Sequence, residues 1–118
     1  MRKFIVLGLV TALGGCSAIK EHFMKREKEY MVASWYMHGT RTASGERFDM
    51  NGLTAAHKTL PFGTRLRLTH NNKSIIVRIN DRGPFLKGRQ LDLSRGAAKA
   101  IGCYELGVCV LEVERISE

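Results

Sequence analysis

The stretch SIIVRINDRGPF, residues 74–85, decides how the chain is read. Ile75-Ile76-Val77-Arg78-Ile79 is a β-branched run and predicts a strand. It breaks into Asn80-Asp81-Arg82-Gly83-Pro84, a series of turn-forming residues. Counting alternate residues puts Ile75, Val77 and Ile79 on one face. Continued alternation places Asp81 on that same apolar side, where a core residue is expected.

Upstream, Thr64–Thr69 alternates, with Leu66 and Leu68 on one face and Arg65 and Arg67 on the other. His70-Asn71-Asn72-Lys73 then reads as an Asn-rich hairpin turn leading into the strand Ser74–Asn80. Met31–Tyr36, Leu53–His57, Gln90–Leu93 and Val108–Ile116 read as further short strands. His38–Phe48 is a polar loop rich in small residues, and Leu60-Pro61-Phe62-Gly63 is a turn. Ser94 is placed to cap a small-residue helix, Arg95–Ile101, that stops at Gly102. Short strands with one helix argue for a compact β-barrel.

The ends differ in character. Met1-Arg2-Lys3 is basic, Phe4–Leu13 is apolar, and Gly14-Gly15-Cys16 follows. The apolar run is well short of the ~20 residues needed to span a bilayer. The order of these parts looks like a bacterial lipoprotein signal over residues 1–15, with cleavage before Cys16 and lipid on its thiol. Residues 16–30 then form a charged tether, and the domain runs over 31–118. Removing residues 1–15 lowers the net charge from +8 to +6. A basic envelope protein faces anionic lipid and cell-wall groups. Nucleic acid is excluded by that compartment, and no basic block with interleaved aromatics argues for it. Cys103 and Cys109 are free to pair in an oxidising periplasm or to remain buried thiols. They make neither a redox pair nor a zinc site by spacing.

Several polar residues stand out, each with an ordinary alternative. Glu46 sits in a loop that could be a solvated turn. His57 ends the strand LTAAH and could be a hydrogen-bonded rim residue. Asp81 could close a turn with Arg82, and Asp92 could brace the helix. Taken together, the stretches ASWY (33–36), HG (38–39), TASGERFDM (42–50), LTAAHKTLPFGTRLRLT (53–69), SIIVRINDRGPF (74–85), GRQLDLSRGAAKAIG (88–102) and GVCVLEVERI (107–116) carry more than their parts. Region 31–116 resembles the catalytic domain of the rare lipoprotein A family, septal lytic transglycosylases built on a double-psi β-barrel.

The resemblance implies a mainly β fold, a six-stranded double-psi β-barrel with one or two short helices. It implies that Glu46, His57 and Asp81 line one cleft. It also implies cleavage of the MurNAc–GlcNAc bond of peptidoglycan without water, leaving 1,6-anhydro-MurNAc ends, with peptide-poor strands preferred. Such cleavage needs a carboxylic acid that is protonated when the leaving oxygen departs. Desolvation on an apolar face favours the protonated form of a carboxyl, and Asp81 is the residue expected to give a proton and take one back. Glu46 would stabilise the oxocarbenium-like transition state or share the proton work. His57 would orient a carboxylate or bind substrate. Arg82, Trp35, Tyr36 and Asp92 are the expected sugar-binding residues. No metal or organic cofactor is indicated.

The expected partners are peptidoglycan glycan strands and, through the N-terminal lipid, a membrane; the protein is expected to act as a monomer. Ser17 after the lipidated cysteine favours the outer membrane, facing the periplasm. The chain ends at Glu118, so no C-terminal repeat domain of the kind found in longer family members is expected. Two competing readings differ in class. One is a non-catalytic, expansin-like wall-binding module on the same barrel. The other is inverting hydrolysis by two carboxylates with a water between them.

Overall fold

The structure, a computed structural model, describes residues 28–116. The expected signal segment, the lipidated Cys16 and the tether up to residue 27 lie outside the described residues. Six strands are formed: β1 (Glu29–Tyr36), β2 (Thr54–His57), β3 (Arg65–His70), β4 (Lys73–Asp81), β5 (Leu91–Ser94) and β6 (Cys109–Ile116). A single helix among the described residues, α1 (Arg95–Ile101), lies between β5 and β6. The strands close into a barrel in the order β1-β5-β2-β4-β3-β6. The β1–β5 and β2–β4 pairs are parallel, and the other four are antiparallel. Closure leaves no unpaired sheet edge.

The alternation read from sequence sorts side chains between the two faces of this barrel. Leu66 and Leu68 of β3 point inward, with Val77 and Ile79 of β4, Leu91 and Leu93 of β5, and Leu111 and Val113 of β6. Arg65 and Arg67 point out. Asn71 and Asn72 join β3 to β4 with φ of 48° and 70°, the left-handed pair that a two-residue hairpin requires. β1 begins two residues earlier than the sequence suggests, because Glu29 and Tyr30 pair with Val113 and Glu112 of β6.

The helix is capped as expected. The Ser94 Oγ accepts from the Ala97 N–H, and Gly102 closes the far end in the left-handed conformation at φ 83°. Ala97, Ala98 and Ile101 bury one side of the helix in the core. Gly96 lies against the loop before β2, and its N–H donates to the Met50 carbonyl at 2.7 Å. A Cβ on Gly96 would sit 2.5 Å from the Asn51 carbonyl oxygen, so only glycine lets the helix approach this closely. Cys103 and Cys109 are joined in a disulfide, with Cα atoms 6.0 Å apart. The bond ties the segment after α1 to the start of β6.

The face assigned to Asp81 is corrected. Ala55 of β2 pairs with Ile79, but the next residue, Ala56, pairs with Asp81. Asn80 is therefore a one-residue bulge in β4. Inserting one residue reverses every later side chain. Ile79 stays in the core, whereas Asp81 turns to the outer face of the barrel beside Ala56.

Candidate active site

The bulge completes a row of side chains on the outer face. Ser34 on β1 pairs with Asp92 on β5. Asp92 pairs with Ala56 on β2, and Ala56 pairs with Asp81 on β4. Two acids thus flank one alanine across neighbouring strands, with backbones roughly 9.5 Å apart at ordinary strand spacing. Ser34, Ala56, Asp81 and Asp92 floor a groove of about 350 Å³. Gly83, Pro84, Phe85 and Leu86, the continuation of the opening motif, form one wall. Phe85 is 83% exposed and offers an aromatic face at the lip.

Asp81 is held by three donors. Its Oδ1 accepts from the Ala43 N–H at 2.8 Å and from the Arg82 N–H at 2.9 Å. Its Oδ2 accepts from the Tyr36 hydroxyl at 2.9 Å. Tyr36 stacks on Phe48 with ring centroids 4.8 Å apart. Burial, reinforced by the hydrogen bond to Asp81, pushes the Tyr36 phenol far above its usual range, so it serves only as a donor. Asp92 is half-buried as well. Its Oδ1 accepts from the Ser34 hydroxyl at 3.0 Å. Burial raises the Asp92 pKa; the Ser34 bond and the Arg89 charge oppose that rise, and the nearby Asp81 adds to it.

Glu46 is engaged elsewhere. Its carboxylate makes a bidentate pair with Arg78, at 2.7 and 2.9 Å, and accepts from the Ser44 hydroxyl at 3.2 Å. The Arg78 hydrogen bonds hold its pKa down to about 2, against a smaller opposing effect of burial. It therefore carries no proton to donate near neutrality. The loop that holds it is stitched to the end of β4: the Ser44 N–H donates to the Asn80 carbonyl and the Ala43 N–H to Asp81. Glu46 thus anchors the loop that supplies a donor to Asp81.

His57 does not line the groove. Its Nδ1 accepts from the Thr59 and Leu60 N–H groups, each at 3.1 Å, which leaves the ring proton on Nε2. Burial, with the charges of Arg82 and Lys58, lowers its pKa and keeps the ring neutral. Arg82 is built into the same turn. Its guanidinium donates to the carbonyls of His57 and Leu60, at 3.2 and 2.9 Å, and lies 4.0 Å over the Phe62 ring. Trp35 faces the core side of β1. Its indole N–H donates to the Tyr104 carbonyl at 3.0 Å, and its ring stacks on Tyr104.

The structure therefore brings together Asp81, Asp92, Tyr36, Trp35 and Arg82 along the groove, Trp35 and Arg82 with their polar groups engaged by backbone carbonyls. Glu46 and His57 lie outside the groove lining, Glu46 paired with Arg78 in the loop before β2 and His57 bonded to the turn after it. Ser34 and the Ala43 N–H were not singled out from the sequence. Ser34 was legible in principle, since it shares the outward face of ASWY with Tyr36. The Ala43 contact depends on how a loop folds back, which periodicity does not report.

The model of the lytic transglycolase family matches residues 28–113. A protein of Synechocystis named "Probable endolytic peptidoglycan transglycosylase RlpA" is 62% identical over 82 residues, covering 65% of this chain and 26% of that protein. The Pseudomonas aeruginosa "Endolytic peptidoglycan transglycosylase RlpA" is 53% identical over 90 residues, covering 72% of this chain and 26% of that protein. The chain thus spans about a quarter of the length of these relatives. Among solved structures, the Streptomyces papain inhibitor superposes with a TM-score of 0.66 at 19% identity, over 78% of this chain and 96% of that one. A Clavibacter michiganensis expansin variant in complex with cellohexaose gives 0.64 at 16% identity, over 77% of this chain and 51% of that one. These two show the barrel fold. The family match over residues 28–113, on a closed six-stranded barrel whose outer face carries the acidic groove, establishes that this chain belongs to the lytic transglycolase family of double-psi β-barrels.

Proposed function

We propose that the protein is an endolytic peptidoglycan transglycosylase that cleaves MurNAc–GlcNAc bonds, preferentially in peptide-poor strands, and leaves 1,6-anhydro-MurNAc ends. The observation that carries this reading is the row Ser34–Asp92–Ala56–Asp81 across the floor of the groove. The names of the RlpA relatives support the substrate and the reaction. The protein acts in the cell envelope, held by lipid on Cys16, with the outer membrane as its site.

The two acids take different parts. Asp92, whose burial favours the protonated form, gives its proton to the glycosidic oxygen as the C1–O4 bond breaks and the bonding pair leaves on O4. The MurNAc 6-hydroxyl then forms the C1–O6 bond, and its proton returns to Asp92. No water enters, and Asp92 ends as it began. Asp81, fixed by three donors, faces the oxocarbenium-like centre and stabilises its positive charge. Glu46 and His57 are positioning residues that hold the loop and the turn flanking Asp81. Phe85 offers its ring to a sugar face.

The test is digestion of purified, peptide-free glycan strands with the protein and with Asp81→Asn and Asp92→Asn variants. Wild-type protein is expected to release anhydro-ended fragments, and each variant to lose at least about a hundredfold in rate while melting normally. Binding of strands without any cleavage by the wild-type protein would instead favour the wall-binding reading.

A further inference from the structure

The groove contains two guanidinium groups, and only one is accounted for. Arg82 is committed to backbone carbonyls and to the Phe62 ring. Arg89 also lines the groove and is half-buried, yet no hydrogen bond or ion pair to another side chain engages its guanidinium among the described residues. It influences Asp92 through space without pairing with it. Its backbone is nevertheless held in place. The next residue, Gln90, donates its N–H to the Val32 carbonyl at 2.9 Å, and its side-chain oxygen accepts from the Val32 N–H at 2.7 Å. That two-point clamp pins the segment to β1 immediately beside Arg89.

A half-buried guanidinium with no side-chain partner among the described residues, carried on a pinned segment of backbone in a groove floored by two acids, is suited to an anionic group brought by the substrate. MurNAc carries one candidate. The lactyl ether on its C3 ends in a carboxylate that is free in a peptide-stripped strand and is an amide where a stem peptide is attached. C3 lies on the same ring as the reacting C1, so the lactyl group enters the groove with the scissile bond. We propose that Arg89 is the residue that recognises this free lactyl carboxylate and so discriminates stripped from peptide-bearing MurNAc. The inference rests on the transglycosylase reading for its substrate and adds the side chain that sets specificity.

The experiment uses the full chain carrying Asp81→Asn, so that strands bind without turnover, and two forms of one glycan preparation. In one the lactyl carboxylate is free; in the other it is converted to the methylamide. Calorimetry is expected to show the free-acid strand bound at least about tenfold more tightly, as one charge-assisted pair provides. Adding Arg89→Gln should bring the ratio close to one by weakening only the free-acid strand, and Arg89→Lys should restore part of the preference. Equal weakening of both strands by Arg89→Gln, an unchanged ratio, or no preference with Arg89 present would each overturn the assignment. Failure of the transglycosylase reading would show separately, as absence of anhydro ends when the Asp81-containing chain meets the free-acid strand.

Discussion

Three acids near one groove are driven apart by their neighbours. Glu46 meets a bidentate arginine and stays ionised; Asp92 meets burial and is pushed toward its protonated form. That contrast is the reason the proposed mechanism gives the proton to Asp92, and it makes the surroundings of Asp92 testable. Ser34 donates to Asp92 and favours its anion. Ser34→Ala removes that help, so the Asp92 pKa rises further. An acid that must be protonated loses activity as pH rises through its pKa, so the alkaline fall in kcat/KM should move to higher pH in Ser34→Ala. A shift to lower pH, or none, would take the proton role from Asp92. At this scale the sequence was partly legible. Asp81, Asp92 and Tyr36 were identifiable from the motifs that carry the family resemblance, whereas alternation alone sent Asp81 to the core face. The engagement of Glu46 by Arg78 was not, because 32 residues separate the two and only the folding of the Glu46 loop back onto β4 joins them.

The bulge at Asn80 and the helix after β5 are the elements that place the site. Without the extra residue, Asp81 would turn into the core beside Ile79, as strict alternation predicts. A bulge is set by the partner strand, which a single stretch of sequence does not display; this is why the strand was legible and the final direction of Asp81 was not. The helix was legible in full, since Ser94, the small residues and Gly102 are local signals. What local signals hid is the reason for Gly96. Helix α1 touches the loop before β2 so closely that a methyl group would meet the Asn51 backbone. Gly96→Ala should therefore destabilise the domain by about 1–3 kcal/mol despite its better helix propensity, as overpacking does. Denaturant unfolding would show it; a variant as stable as wild type would mean that the loop yields without cost.

For the whole molecule, the sequence supplied the six strands and their order along the chain, and the family resemblance supplied the barrel. The Cys103–Cys109 pairing is left open by the sequence alone, because proximity of two thiols depends on where α1 ends relative to β6. The bond closes a short loop, and on the loop-closure account it is worth about 2 kcal/mol. Reduction should lower the melting temperature by roughly 10 °C. Activity well below that temperature should be nearly unchanged, since the bond lies outside the groove lining; a large loss of turnover in folded, reduced protein would tie the bond to the site. In the proposed reaction, two acids on the outer face of the barrel cut a glycan strand with its own 6-hydroxyl and not with water. Its most direct test is digestion of peptide-free glycan strands in heavy-oxygen water, with the new ends read by mass spectrometry. The expected products are 1,6-anhydro-MurNAc ends carrying no solvent oxygen. Reducing ends labelled with the heavy isotope would contradict that reaction and establish hydrolysis by the two carboxyls instead.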